Sequence, residues 1–276
     1  MEKFPKFFWI AFVALTMTFV SCNNEKDEPE PVNPDEPTTS DIIIPQSFGN
    51  YSIEVNDKGQ VIKLKDSEDG SEYNFEYGNF SRSKTFNAVM RYRDKEDPAE
   101  CNYDLYIQLN EYGYATYTAL YDNDGDHYDS WECEYNSDGQ LIQMNELGEE
   151  CIYQFKYVEG NISEIIEKIY DEEPSITGMK YTNSMFNQPI PNKCGGTVFF
   201  EDFVNLSYID EMEVLNYVGM LGKGTKDLPM SIYYDYDEGY RLIMEFYWEL
   251  NSEQFPIKFG YFDDNGKPEE IITIRW

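Results

Sequence analysis

Residues 133–169, CEYNSDGQLIQMNELGEECIYQFKYVEGNISEIIEKI, repeat one unit: an aromatic or apolar residue, a short polar run holding Asp or Asn with Gly, then apolar residues at alternate positions. Alternation with a period of two sends one face of a strand to a core and the other to water, and the Asp/Asn–Gly run supplies the tight turn between strands. The unit therefore reads as consecutive β-hairpins. Working outward, turns centre near Gly113, Gly125, Gly139, Gly148 and Gly160. Spacings of about a dozen residues, or twice that, are what consecutive antiparallel strands produce, and their irregularity argues against a solenoid.

The same reading extends to both ends of the chain. Ile42 to Pro45 is a short apolar lead-in, and YSIEVNDKGQVIKL follows as the first hairpin, with Ile53 and Val55 on one face and Asp57-Lys58-Gly59 at the turn. Tyr77-Gly78-Asn79 is expected as a second turn, and residues 81–100 as a charged, irregular stretch ending in the loop Lys95 to Pro98. Ile176 to Tyr181 reads as a strand and Met185 to Lys193 as a proline-flanked loop. Near the end, Tyr240, Leu242, Met244, Phe246, Trp248 and Leu250 alternate with Arg241, Ile243, Glu245, Tyr247 and Glu249, predicting one buried and one mostly wet face. Phe255 to Tyr261, the turn Asp263 to Gly266 and Ile271 to Trp276 complete the pattern. The period changes once, in Tyr208 to Leu221, where Ile209, Met212, Leu215, Val218 or Met220, and Leu221 approximate helical spacing. Acids in its first half suit the helix dipole, and Gly222 is expected to end it. The expectation is a mainly β fold: an antiparallel meander of hairpins forming a large curved, barrel-like sheet, with one amphipathic helix near residues 208–221 packed on it.

Domain organisation follows from the first part of the chain. Residues 1–21 read as a lipoprotein signal peptide: Lys3 and Lys6 give a basic start, and Phe7 to Val20 is an uncharged run of 14 residues. A membrane helix needs about 20. Phe19-Val20-Ser21-Cys22 resembles a bacterial lipobox, which makes Cys22 the diacylated first residue of the mature chain; the alternative is an ordinary secretion signal with a chance cysteine. Residues 22–41 carry Pro29, Pro31, Pro34 and Pro37 among acids and amides with no apolar period, the composition of a disordered tether. In polyproline form, at about 3.1 Å per residue, it reaches roughly 60 Å from the bilayer. Lys26-Asp27-Glu28 resembles the acidic export signal of Bacteroidetes-type surface lipoproteins, against the alternative of a merely solvated linker on a periplasmic lipoprotein. Residues 42–276 are read as a single antiparallel β domain.

Composition narrows the function classes. The 276 residues hold 24 Tyr and 18 Phe against one His, and the formal charge is -32. Aromatic residues favour strands, and a field of that sign repels nucleic acid and anionic lipid. With His127 alone, sites built on several imidazoles are excluded, and any Ser-His or Cys-His chemistry must run through a residue sitting in an acidic turn. No catalytic residue, metal ligand or cofactor is assigned. Asp122-Asn123-Asp124-Gly125-Asp126 with Asp129 resembles a calcium loop in part, yet Leu120 stands where an acid is needed and the twelfth-position Glu is missing; a hairpin turn explains the same residues. Beyond Cys22 the cysteines are Cys101, Cys133, Cys151 and Cys194. Cys133 and Cys151 fall on strands separated by a third, about 10 Å apart and beyond disulfide reach, while a Cys101–Cys194 bridge stays open.

The passage Val214 to Pro229, containing LNYVGMLGKGTKDLP, and the following YDYDEGYRLIMEF and FDDNGKPEEIITI hairpins resemble a family of Bacteroidetes lipoproteins of unknown function with a porin-like fold. The resemblance covers roughly residues 40–276 and is most specific over Gly222 to Pro229. It implies an antiparallel sheet curved toward a barrel, with the helix beside or inside it, and it carries no catalytic residue. Ile272, Ile274 and Trp276 also resemble the closing strand of outer-membrane barrels, but acids on both faces of many strands argue against a membrane-spanning one. The expected function is that of an outer-membrane, surface-exposed lipoprotein held through lipid on Cys22. It would act as a binding or interaction module for a glycan or an outer-membrane protein partner, with Trp131 or Trp248 as candidate sugar-stacking residues if exposed, against the commoner placement of strand aromatics in a core. The alternatives are a carbohydrate-active enzyme using two carboxylates and a structural envelope-assembly lipoprotein.

Overall fold

The computed structural model describes residues 42–98, 101–148, 151–183, 186–196, 210–236, 239–263 and 265–276. The leader, Cys22 and the tether lie outside the described residues, as do Met185, Tyr208 and Ile209.

The chain runs through β1 (Ser47–Phe48), β2 (Tyr51–Val55), β3 (Val61–Asp66), β4 (Glu72–Ser81), β5 (Thr85–Arg93), β6 (Tyr103–Leu109), β7 (Ala115–Asp122) and β8 (His127–Tyr135). It continues with β9 (Leu141–Glu146), β10 (Cys151–Val158), β11 (Asn161–Lys168), β12 (Ser175–Lys180), α1 (Asp210–Tyr217), β13 (Ser231–Tyr236), β14 (Gly239–Leu250), β15 (Pro256–Phe262) and β16 (Pro268–Arg275). Each strand pairs with its sequence neighbours, and β1 pairs antiparallel with β16, so the sixteen described strands close into a barrel.

One turn design builds much of the meander. At Asn56, Asn110, Asp122, Asn136, Asn251 and Asp263 the opening residue's N–H donates to the carbonyl four residues on, and its own carbonyl accepts from the residue three on. Its Oδ1 also accepts two backbone N–H groups: Asn136 takes those of Asp138 and Gln140, both at 3.0 Å. The fourth residue sits in the left-handed region, with φ of 80° at Gly113 and 83° at Gly139, where only glycine is unstrained.

Three expectations need correcting. Tyr77-Gly78-Asn79 is no turn: it lies inside β4, where pairing with β5 skips from Tyr77 to Phe80 as a bulge, and the chain reverses at residues 82–84. Residues 85–93 are a regular strand; Arg91 and Arg93 point outward and lend it a loop-like composition, while Ala88 and Met90 are fully buried on the inner face. The helix is also shorter than residues 208–221. It ends because Gly219, at φ 75°, lets the Met220 N–H reach the Leu215 carbonyl at 2.8 Å and the Gly219 N–H reach that of Asn216 at 3.0 Å.

A round barrel of this strand number leaves an aqueous channel. Here the described residues of the β12–β13 connection pack against the inner faces of the strands. Inward Leu64, Phe75, Met90, Leu105, Ile107 and Met144 join Met212, Leu215, Met220, Leu221, Leu228 and Met230 of the connection in one apolar cluster. Burial of each such side chain contributes roughly 1.5–3 kcal/mol. The connection is strapped to the hairpin turns at that end: Lys223 N–H donates to Gly139 at 2.8 Å, Lys226 N–H to Gly160 at 2.9 Å, and Ala115 N–H to Met220 at 2.8 Å. Gln140 Nε2 bridges the carbonyls of Gly160 and Gly224 at 3.0 and 3.2 Å.

The outer wall carries the charge. Across β3 to β6 run Lys63–Glu72 (2.8 Å), Lys65–Glu72 (3.5 Å), Arg91–Glu76 (3.0 Å), Arg91–Asp104 and Arg93–Asp104 (2.8 Å). Lys156–Glu164 (2.7 Å) and Lys258–Glu249 (2.8 Å) continue the pattern on later strands. Each such surface pair contributes only about 0–1 kcal/mol, so their significance is that they mark the face that meets water.

Candidate functional site

The structure does not bring the candidates read from the sequence together in one open site among the described residues. Trp131 and Trp248 are 2% and 3% exposed and face the barrel interior, so neither offers a ring to a sugar. Register decides this: Trp131 pairs with Glu146 and Thr118 on the inner face, and Trp248 pairs with inward Phe259. Trp248 Nε1 donates to the Pro229 carbonyl at 2.8 Å, whereas buried Trp131 Nε1 meets no acceptor among the described residues.

His127 begins β8 at the surface, as its acidic turn implies. Its Nε2 lies 2.7 Å from Ser130 Oγ, which also accepts the Tyr117 hydroxyl at 2.9 Å. Ser130 is 3% exposed, which leaves no approach for a substrate to that hydroxyl. The Asp122 loop is a hairpin turn: Asp122 Oδ1 accepts the N–H groups of Asp124 and Asp126 at 3.0 and 2.9 Å, just as Asn136 does in its own turn. Cys133, Cys151 and Cys194 are buried free thiols and Cys101 is an exposed thiol, so the open Cys101–Cys194 bridge is not formed.

Among the described residues, where carboxyl groups shift, they shift downward. Glu72 is lowered chiefly by its bond to Lys63, Glu249 by Lys258, Asp94 by the Asp97 N–H and Asp263 by the Lys267 N–H. A general acid needs the opposite shift.

Two aromatic features of the outer wall stand outside the candidates read from the sequence. In the first, the β4–β5 hairpin tip folds over β6 and β7. The Arg82 guanidinium stands 4.6 and 4.2 Å from the ring centres of Tyr106 and Tyr121, and Lys84 Nζ is 3.4 Å from that of Tyr117. Phe86, Val89, Tyr106, Ala119 and Tyr121 form a small cluster beneath it. This patch is already covered.

The second is open. Pairing between β13 and β14 skips a residue, from Ile232↔Met244 to Tyr233↔Leu242, and a one-residue slip reverses the faces of everything beyond it. Tyr240 and Leu242, expected on the buried face with Met244 and Phe246, are therefore turned outward and are 54% and 44% exposed. Tyr240 lies across the strand interior at Gly178, and its hydroxyl reaches Glu164 Oε1 on β11 at 3.4 Å. Tyr233, paired with Gly178, carries Lys180 Nζ 4.0 Å above its ring. Ser163, Glu164, Gly178, Met179, Lys180, Tyr233 and Tyr240 line a groove of about 290 Å³. Chemically it offers the exposed ring of Tyr240, the ring of Tyr233 beneath the Lys180 ammonium, a floor without a side chain, and a rim with hydroxyl and carboxylate groups. Burial, Glu164 and Asp235 all push the Tyr240 hydroxyl up, keeping it protonated. Two signals in the sequence point to it: three consecutive apolar residues, Leu242-Ile243-Met244, which strict alternation forbids, and a glycine inside a strand.

Residues 53–268 match the model of a family described as a domain of unknown function (DUF4595) with porin-like fold. Among solved structures, the chain is similar to a porin-like protein from Bacteroides uniformis, with TM-score 0.53 and 17% identity over 82% of this chain and 88% of that one. It is likewise similar to a porin-like protein from Bacteroides vulgatus, with TM-score 0.53 and 11% identity over 84% and 98% of the two chains. No curated protein matches it.

Proposed function

The chain belongs to the family of domains of unknown function with porin-like fold, and from that premise we propose that it is a lipid-anchored binding module of the outer membrane, not a conducting channel. Cys22 holds it to the bilayer, and the tether presents the barrel at the cell surface. The observation that carries this reading is the sidedness of the wall. In a transmembrane barrel the outward face is apolar and the lumen polar, and an outward Lys or Arg near midplane costs about 2–4 kcal/mol. This barrel has the reverse arrangement, with Lys63, Lys65, Arg91 and Arg93 in ion pairs outside and Leu, Met and Phe side chains within. A barrel so built keeps its fold in water and needs a separate device to stay at a membrane, which the lipobox cysteine supplies.

The test is fractionation and conductance. The wild-type chain is expected in the outer-membrane fraction and accessible to protease on intact cells, and Cys22→Ala is expected as a folded soluble protein. Neither should open channels in planar bilayers. A Cys22→Ala chain that still resists extraction from membranes, or stepwise conductance from the purified protein, refutes the reading.

A further inference from the structure

We propose that the groove between Tyr233 and Tyr240 is a binding site for neutral oligosaccharides. The inference rests on the preceding reading of the outer wall as water-facing and names the ligand class of that module.

The glycine is the first argument. Gly178 has no left-handed φ, and a Cβ there would meet Tyr240 Cε1 at 3.4 Å and the Ser163 carbonyl at 3.8 Å, both ordinary contacts. Neither backbone strain nor crowding demands a glycine at this point, and glycine inside a strand costs stability. What its missing side chain provides is the floor on which Tyr240 lies and beside which the groove of about 290 Å³ opens, near the lower end of small-ligand sites at about 300 Å³.

Side-chain chemistry is the second argument. A pyranose presents C–H groups on its faces and hydroxyls at its edge. The exposed Tyr240 ring suits a face, while Ser163, Glu164 and Lys180 at the rim suit the edge. Charge then narrows the class. Glu164 is held by Lys156 Nζ at 2.7 Å, and Lys180 sits 4.0 Å over the Tyr233 ring. A charged ligand would have to break one of these contacts, and the -32 field of the chain repels anionic glycans. An uncharged polyol meets neither penalty.

The test uses the full chain purified in detergent, screened on an array of neutral hexose oligosaccharides (glucans, mannans and galactans), with calorimetry on the strongest hit. Wild type is expected to bind. Tyr240→Ala removes one platform and Gly178→Val fills the floor, and each is expected to weaken binding about tenfold or more. Tyr128→Ala, a 77% exposed tyrosine on β8, should leave it unchanged. Valine suits a strand, so Gly178→Val remains informative if Tyr240→Ala fails to fold. No retention of any neutral glycan, retention of anionic glycans alone, or binding untouched by both variants overturns the proposal. Because binding is read in detergent solution, failure of the Cys22 anchor leaves this result unaffected.

Discussion

Gly222→Ala tests whether the connection is seated in the end of the barrel as described. Gly222 has φ 84°, and a Cβ there would lie 2.6 Å from the Gly139 carbonyl oxygen and 2.7 Å from Tyr135 Cε1. The left-handed backbone costs a non-glycine residue roughly 1–2 kcal/mol. The contact costs more, because the nearest atom is backbone and the chain must draw away from it. That movement strains the Lys223 N–H bond to Gly139 at 2.8 Å and the Gln140 bridge to Gly224 at 3.2 Å, each contributing about 1 kcal/mol. The expected loss is about 3–4 kcal/mol. Gly266→Ala is the matched control: φ is 74° but nothing lies within 4 Å of its Cβ position, so it bears the backbone cost alone. At about 2–4 °C per kcal/mol for a domain of this size, calorimetry should show roughly 6–16 °C lost for Gly222→Ala against roughly 2–8 °C for Gly266→Ala, with the first about twice the second or more. Equal shifts would refute the close seating of Gly222 on Gly139.

Three further outcomes are expected of the described contacts. Trp248→Phe deprives the Pro229 carbonyl of its donor, while Trp131→Phe removes a buried N–H without an acceptor among the described residues; denaturant midpoints should therefore place Trp248→Phe lower by roughly 1–3 kcal/mol, and equal losses would contradict this. Burial pushes the thiols of Cys133 and Cys194 up to about 12, so a thiol reagent at neutral pH should label exposed Cys101 quickly and those two only on unfolding; native labelling of Cys133 at the Cys101 rate would count against the buried placement. The Lys267 and Asn265 N–H groups hold the Asp263 carboxyl below its ordinary 3.8, so the stability it contributes is present above that value and lost as pH falls through the lowered one. Asp263→Asn keeps the acceptor and does not titrate, so wild type should lose melting temperature relative to the variant only in strong acid. A relative gain by wild type there would have the wrong sign.

The hairpins are legible in the sequence because their punctuation is local. An Asx residue whose Oδ1 caps two N–H groups, followed three residues on by a left-handed glycine, needs nothing from the rest of the molecule, and Asn110, Asn136 and Asp263 read the same in the chain and in the barrel. Bulges are legible only through their consequences for pairing. Gly78-Asn79 has turn composition, yet β5 pairs with β4 on both sides of it, and the ladder outweighs the local signal. The bulge opposite Ile232 and Tyr233 has the larger effect, since it turns Tyr240 and Leu242 outward. Trp131 and Trp248 take the commoner place of a strand aromatic, in the core, and alternation alone says which face is inside only where charges hold the other, as Glu245 and Glu249 do opposite Trp248.

That last choice is made by the connection between β12 and β13. The same period of two builds a channel when the polar set faces inward and a filled barrel when the apolar set does. Here Met212, Leu215, Leu228 and Met230 are buried against the inward faces of the sheet, and Tyr135 hydroxyl, donating to the Ala115 carbonyl at 2.7 Å, stands beside Met220 where the connection meets the wall. The Gly222 to Pro229 passage is the part of the chain that fits this seal: Gly222 lies against Gly139, Asp227 takes the Asn161 amide at 2.8 Å, and Pro229 receives Trp248. The groove proposed to take a glycan lies elsewhere, on the outer wall, where Gly178 pairs with Tyr233 and Tyr240 is turned outward.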